Sequence, residues 1–377
     1  MAATDRAPVL VVIELSGGND FMNTIVPYAS GEYHDARPNI QVADDAVLPL
    51  DDAVGLHPNA GPLKELYDEG QVAIVQGVGY PNSSRSHFRA MFDCHTCEPE
   101  RTVTEGWLGK VVRDLDPKRE NVLTGVSFGV VLPQAMAAPG AAVTTLGDLD
   151  TYGLMGGISD IEQRNATLEI FKEMYGPSVG TGPVMDYLGE AADISMLGAE
   201  MLEKAPAAYE STVEYGANTV AKSLRDVARV HLADLGTRVF YVNHGGYDTH
   251  ANQIRDHDRL LAELSGAVMD FQQDLRDHDA QDSVAILMFT EFGRRVKDNG
   301  TGTDHGSGGG AFLVGEGVTG GLYSEYPPLD PNELEAGEDL RHTIDFRSVY
   351  ASTLEQWMGM DAVPIVGGTF EQIGAFR

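Results

Sequence analysis

Basic side chains are scarce in this chain, and lysine is the scarcest. The 377 residues hold 26 Lys plus Arg against 57 Asp plus Glu, a formal net charge of −31. Only 7 of the cations are Lys; the other 19 are Arg. A field of that sign repels phosphate backbones and anionic lipid, so nucleic acid and charged membrane surfaces are poor partners. Many carboxylates beside few lysines suit a protein kept soluble in concentrated salt, where self-repulsion is screened. An ordinary acidic soluble protein has the same composition. Refolding yield and activity against salt concentration separate a halophilic protein from a merely acidic one.

Long apolar runs are missing too. None approaches the ~20 residues that span a bilayer, so no membrane insertion is expected. The longest candidate, Val9–Leu15 (VLVVIEL), stops at Ser16 and reads as a buried strand. It starts within ten residues of Met1, which leaves no room for the charged and apolar regions of a leader. The expectation is a cytoplasmic protein, or one whose leader has been removed. Cysteine occurs twice, Cys94 and Cys97, in Cys-His-Thr-Cys. A CxxC can be a redox pair or half of a zinc site. No second CxxC and no thioredoxin-like βαβ pattern accompany it, so the two read as incidental or loosely disulfide-linked. Internal repeats and low-complexity segments are absent as well.

What is present is ample apolar material, 42% of the chain, enough for the core of one large α/β domain over 1–377. Val9–Leu15, Val72–Val78, Val239–Val242, Val284–Phe289 and Phe312–Val314 read as strands. Helices are expected around Pro62–Glu69, from Phe88 to about Phe92, over Gln253–Asp277 and over Phe346–Met358. The third carries Leu260, Leu261, Leu264, Val268 and Phe271 on one stripe. The stretch 148–229, rich in Ala, Met, Glu and Leu at helical spacing, reads as a helical cap inserted in the domain. Strands alternating with helices imply a mostly parallel central sheet flanked by helices. In such sheets ligands bind beyond the carboxyl ends of the strands.

Polar clusters stand at those ends. Asp20 follows Ser16-Gly17-Gly18-Asn19, where it can bind metal or cap the turn. Asp248 and His250, in Gly-Gly-Tyr-Asp-Thr-His, share one face if the segment is extended, and a carboxylate and an imidazole together can ligate a divalent ion. Glu291 directly follows Val284–Phe289; it is a ligand candidate, or a partner of Arg294 or Arg295. Asp304 and His305 precede a glycine-rich stretch through Gly310 that lets backbone N–H groups approach an anion, or is a flexible surface loop. Ser84, Arg85, Ser86 and His87 open a helix. A serine there beside an arginine suits attack on a tetrahedral oxyanion, though ordinary N-capping uses serine equally. Asn23 and Thr24 are weaker candidates for the same pocket. One cluster alone is unremarkable, but five at successive strand ends point to one site.

The ordered set Ser16–Tyr28, Gly55-Leu56-His57-Pro58, Pro81–Phe88, Gly106-Trp107-Leu108-Gly109, Gly245–His250 with Asn252-Gln253, Thr290–Arg294 and Asp304-His305-Gly306 resembles a bacterial family, domain-of-unknown-function family 1501. That family looks like a divergent branch of the alkaline phosphatase and sulfatase superfamily. The resemblance implies an alkaline-phosphatase-like fold, one or two divalent ions (Zn, Mn, Ca or Mg) and a hydroxyl or modified-Cys nucleophile. It places Asp20 at the first-strand metal carboxylate, Ser84–His87 at the nucleophile turn, Asp248 and His250 at a ligand pair, Glu291 at the following carboxylate and His305 at the late histidine.

The sequence departs from the superfamily in three places. Asp-x-His replaces Asp-x-x-x-His, with Asn252 at the longer spacing. Glu291-Phe292 replaces Asp-His, which removes one histidine. The Cys-x-Pro-Ser-Arg signature is missing, which argues against a formylglycine sulfatase. The resemblance also implies twin-arginine export with removal of the leader. The expected function is metal-dependent hydrolysis of a small anionic phosphate or sulfate ester. Ser86, or Ser84, would be the nucleophile and Arg85 would hold the anion. The alternative is a non-catalytic binding or assembly protein on a degenerate hydrolase scaffold.

Overall fold

Val9–Ser16 (β1) is apolar except at Glu14 and Ser16, and all but the last residue are buried, which leaves no face for water, so this strand must run through the middle of a sheet. In the computed structural model, which describes residues 6–147, 149, 161–175, 180–202, 205 and 209–377, it does. The sheet also contains Val72–Gly79 (β2), Gly125–Phe128 (β3), Val143–Leu146 (β4), Val239–Gly245 (β5), Val284–Phe289 (β6), Gly309–Val314 (β7) and Gly321–Tyr323 (β8). Their order is β8-β2-β7-β6-β1-β5-β3-β4, and a ninth strand, Ile344–Asp345 (β9), pairs with β2. Every pairing is parallel except the two made by β7, which runs antiparallel to β2 and β6. The expected mostly parallel α/β sheet is therefore observed.

The two faces bury different residues of the same strands. Val9, Val11, Ile13 and Leu15 of β1 enter one core, and Leu10 and Val12 the other. The first core is covered by Gly61–Asp68 (α1), Thr219–Leu232 (α6) and Gln253–Asp277 (α7). The second is covered by His87–Thr96 (α2), Trp107–Leu115 (α3) and Phe346–Ser352 (α8), with Trp107 stacked on Tyr350 at 4.3 Å between ring centroids. The stripe read on α7 is buried throughout. Deleting one such side chain, as in Leu264→Ala, costs about 2–5 kcal/mol.

Ile161–Tyr175 (α4) and Pro183–Leu202 (α5) lie in the stretch read as a cap; α5 touches the edge strand β4. Residues 148, 150–160, 176–179, 203–204 and 206–208 of that stretch lie outside the described residues. Its last segment, α6, packs on β5 and α7.

Several sequence-based boundaries are corrected. The second strand, read as Val72–Val78, runs one residue further, to Gly79. Helix α2 reaches Thr96 and stops at Cys97 in the left-handed conformation. Gly309 and Gly310 belong to β7 rather than to a flexible loop, because a Cβ on Gly310 would lie 2.7 Å from the Phe21 ring. The closing helix is α-helical only to Ser352 and continues as a wider π turn, Thr353–Trp357. Strands β3 and β4 were not foreseen; at four residues each they are too short for a period-2 pattern to stand out. Cys94 and Cys97 are buried free thiols, not a disulfide.

Candidate metal centre

The carboxyl ends of β1, β5 and β6 lie side by side, in register Leu15 with His244 and Glu14 with Phe289. The loops beyond them are bound to one another. Gly17 has φ +119°, and a Cβ there would sit 2.5 Å from the Asp248 nitrogen, so only glycine lets the loop after β1 approach the loop after β5. Arg294, fully buried, donates to the carbonyls of Gly18 (2.8 Å), Thr303 (3.0 Å), Tyr247 (2.9 Å) and Gly17, and to Asp248 Oδ1 at 2.8 Å. One guanidinium thus clamps the loops after β1, β5 and β6 together with the hairpin Arg294–Asp298/Thr303–His305. The sequence reading offered Arg294 to Glu291; the structure gives it to Asp248.

Three imidazoles and a carboxylate converge on this frame. His305 Nε2 lies 2.9 Å from His87 Nε2, 2.9 Å from His250 Nε2 and 3.0 Å from Asp248 Oδ1. Asp248 Oδ1 is also 3.1 Å from His250 Nε2 and 3.4 Å from His87 Nε2. The ligand atoms of His87, Asp248 and His305 all fall within 4.8 Å of one another. These residues come from the start of α2, the loop after β5 and the end of the hairpin before β7. Because β7 runs antiparallel, the residues just ahead of it reach the same edge as residues just after the parallel strands.

The far nitrogen of each ring determines what the near one offers. His87 Nδ1 faces Glu291 Oε1 at 2.8 Å, His305 Nδ1 faces the Arg85 carbonyl at 2.8 Å and His250 Nδ1 faces Asp304 Oδ1 at 3.1 Å. A carbonyl and ionised carboxylates only accept, so each Nδ1 carries the proton and each Nε2 presents a lone pair. The His87 and His250 lone pairs, each 2.9 Å from that of His305 and 3.4 and 3.1 Å from Asp248 Oδ1, repel unless a cation lies among them. The atoms mutually close enough to share one are those of His87, Asp248 and His305. Ligand atoms around a four-coordinate zinc, at ~2.0–2.1 Å from the metal, are separated by roughly 3.3 Å. The donor set, imidazole nitrogens and a carboxylate oxygen, is of the type that holds zinc. Outer partners that fix the ring tautomer are the usual companion of metal-binding histidines.

Burial pushes the Asp248 carboxyl up, but Arg294, with His305 and His87 beside it, outweighs burial and brings it down to about 2. The Glu291 contact raises His87 above the ordinary imidazole range, against its burial. The His250 contact lowers Asp304.

The candidates therefore separate into groups. Asp248, His250 and His305 come together, and His87, read from the sequence as part of the nucleophile turn, joins them as a donor. Glu291 and Asp304 stand behind His87 and His250 as orienting groups; Glu291 also accepts from the Gly17 N–H at 2.9 Å. Asp20 is not brought to the imidazoles. It is buried and bonded to Arg37 and Gln253, and the pull of Arg37 lowers its carboxyl despite full burial. Asn23 and Thr24 belong to that same buried network, on Arg37 (3.0 Å) and His257 (3.2 Å).

The Ser84–His87 turn opens α2. Ser86 is the exposed N-cap of α2 with no side-chain capping bond, and its N–H donates to Ser84 Oγ at 3.1 Å. Arg85 is paired with Asp339, Nε at 2.8 Å and Nη2 at 2.7 Å. Sequence reasoning missed Arg37, Glu338 and Asp339, charged residues in loops without a periodic pattern; Arg294 was visible two residues beyond the Glu291-Phe292 pair.

Fold and site define an α/β protein with a histidine–carboxylate donor cluster at the carboxyl edge of its sheet. The model of the family described as "Protein of unknown function (DUF1501)" matches residues 76–367, well over half of the chain, and the protein belongs to that family. No curated protein matches it. Similar solved structures include the PsFucS1 sulfatase from Pseudoalteromonas sp., at 11% identity, covering 99% of this chain and 74% of that one with a TM-score of 0.42. The C-terminal periplasmic domain of EcEptC from Escherichia coli, a complex with Zn, is 8% identical, with coverage of 82% and 74% and a TM-score of 0.39. A protein in the alkaline phosphatase superfamily from Vibrio parahaemolyticus is 10% identical, with coverage of 96% and 71% and a TM-score of 0.36. Among the described residues no helix is long and apolar enough to cross a membrane.

Proposed function

We propose that this protein is a metal-dependent hydrolase of small anionic phosphate or sulfate esters. The observation that carries the reading is the convergence of His87, His250 and His305 Nε2 with Asp248 Oδ1, each ring anchored through Nδ1. His87, Asp248 and His305 would hold one divalent cation, zinc by donor type, with His250 beside them. When bound, such an ion polarises the ester and offsets developing negative charge.

The rest falls to the chain's own residues. Ser86 presents an uncommitted hydroxyl at the positive end of α2, next to His87. Its Oγ attacks the phosphorus or sulfur as the ester P–O or S–O bond breaks, and the hydroxyl proton passes to the leaving oxygen, which departs as the alcohol. Water then cleaves the Ser86 ester, releasing phosphate or sulfate and restoring the hydroxyl. Glu291 and Asp304 keep the imidazoles in the tautomer the site needs. Arg294 holds Asp248 ionised and in place.

Metal analysis of the purified protein, with turnover assays on aryl phosphates and aryl sulfates in added Zn, Mn, Ca or Mg, tests the reading. Bound metal and turnover that is lost in Ser86→Ala, with metal retained, is the expected result. No bound metal and no turnover under any of these conditions overturns it. A second reading, a non-catalytic binding protein on the same scaffold, draws on Arg85, whose guanidinium is already taken by Asp339. It predicts metal without turnover.

A further inference from the structure

Two arginines flank the cluster and share one carboxylate. The Arg85 carbonyl holds His305, and its side chain, 36% exposed, pairs with the buried Asp339 and lies 3.6 Å from Glu338 Oε2. Arg295, 30% exposed, reaches Glu338 Oε2 at 3.1 Å through Nη2 and Oε1 at 3.4 Å through Nη1. It also lies 3.7 Å from Asp304 Oδ2, whose other oxygen accepts from His250. Each guanidinium is thus joined to a cluster imidazole, Arg85 through its own carbonyl and Arg295 through Asp304. Glu338 bridges them from an anchored backbone, its carbonyl accepting from the Val296 N–H at 3.0 Å.

We propose that Arg85 and Arg295 form an oxyanion-binding pair at the rim of the cluster, and that Glu338 neutralises this pair until a sulfate- or phosphate-type oxyanion takes its place. The two carboxylates on the pair differ in a way that makes one of them displaceable. The Asp339 side chain is 5% exposed and makes two short contacts, whereas that of Glu338 is 49% exposed and its contacts run from 3.1 to 3.6 Å. An exposed ion pair of that kind is weak and easily exchanged. A tetrahedral oxyanion presents several oxygens at once, to the Arg295 fork and to Arg85 Nη1, the nitrogen that Asp339 leaves to Glu338, which a single carboxylate spanning both does with poorer geometry. A chain of net charge −31 repels any free anion, so an anion-binding group needs local arginines of this kind. The assignment of the oxyanion to a substrate rests on the hydrolase reading; the pair itself does not.

The test is calorimetric titration of the full chain with sodium sulfate and, separately, sodium phosphate at low ionic strength, with and without one equivalent of zinc. Wild type, Glu338→Gln and Glu338→Gln combined with Arg295→Met are compared. Glu338 is at the surface, so its substitution leaves the fold intact. Glu338→Gln is expected to bind both anions about five-fold more tightly, the upper range for an exposed pair, and Arg295→Met is expected to abolish the gain. Equal affinity in wild type and Glu338→Gln, no binding in either, or a gain that survives Arg295→Met overturns the proposal. The zinc arm separates the two readings. An Arg295-dependent gain in a protein that takes up no zinc keeps the anion pair and removes the metal centre; zinc uptake with anion affinity indifferent to Glu338 does the reverse.

Discussion

Glu291 Oε1 lies 2.8 Å from His87 Nδ1. On the proposed metal-centre reading that contact makes Glu291 the orienting group and His87 the donor, because a carboxylate that holds the far nitrogen leaves the near one free. Glu291→Gln keeps an acceptor oxygen but not the charge. Zinc affinity, measured by competition with a chromophoric chelator, is expected to fall about 10–100-fold while the fold is retained. Unchanged affinity would mean that the contact does not set the ring.

Asp20 and Arg37 form a fully buried ion pair, their side chains 1% and 0% exposed. Removing one member strands the other charge in a medium that cannot solvate it. Asp20→Ala is expected to cost about 3–5 kcal/mol in urea denaturation, and zinc stoichiometry by metal analysis is expected to stay at the wild-type value. A lost equivalent of zinc would make Asp20 a ligand after all.

Arg294 serves four carbonyls and Asp248 from a position with no solvent access. A lysine cannot present a planar fork to so many acceptors. Arg294→Lys is expected to lower stability by about 3–5 kcal/mol and to lower the thermal midpoint accordingly. A midpoint within a degree of wild type would rule out the clamp.

His257 titrates far from its ordinary range. Burial, more than any charge, brings it down to about 3, against the opposing pull of Asp20. Below the unfolded value of about 6.5 the unfolded chain takes up a proton that the folded one refuses. Stability is therefore full above pH 6.5 and falls as pH drops from there toward 3, by up to about 1.4 kcal/mol per pH unit for this residue. His231, brought down to about 4 by burial, adds to the slope in its upper part. Urea unfolding at pH 7, 6 and 5 is expected to show a shallower decline in His257→Gln. Parallel declines would absolve His257.

Much of the sheet was legible because β1, β2, β5 and β6 are dominated by apolar runs, unbroken in β6 and interrupted only at Glu14 in β1, late in β2 at Gln76 and late in β5 from Asn243, a pattern that a covered central strand requires. Strands β3, β4, β8 and β9 are two to four residues long and carry no such signal. At the site, Asp248, His250 and His305 were visible from their place beyond strand ends. Which of the other candidates faced the same point was not, because a side chain's partner depends on loops that meet only in space. Asp20 and Glu291 look alike in sequence, each a carboxylate after a strand. Arg37, seventeen residues on, binds the first in a buried pair, and His87, more than two hundred residues back, makes the second its support.

The chain closes on itself at the cluster. His87 and His305, whose Nε2 atoms meet, are 218 residues apart, and Asp248 and His305 are 57 apart. A nascent chain that has emerged only as far as β6 carries His87, Asp248 and His250 but lacks the hairpin that ends in His305. The donor set is completed only when β7 turns back between β2 and β6. An ion seated there would fasten the hairpin before β7 to segments made much earlier, so its uptake would mark the moment β7 closes into the sheet.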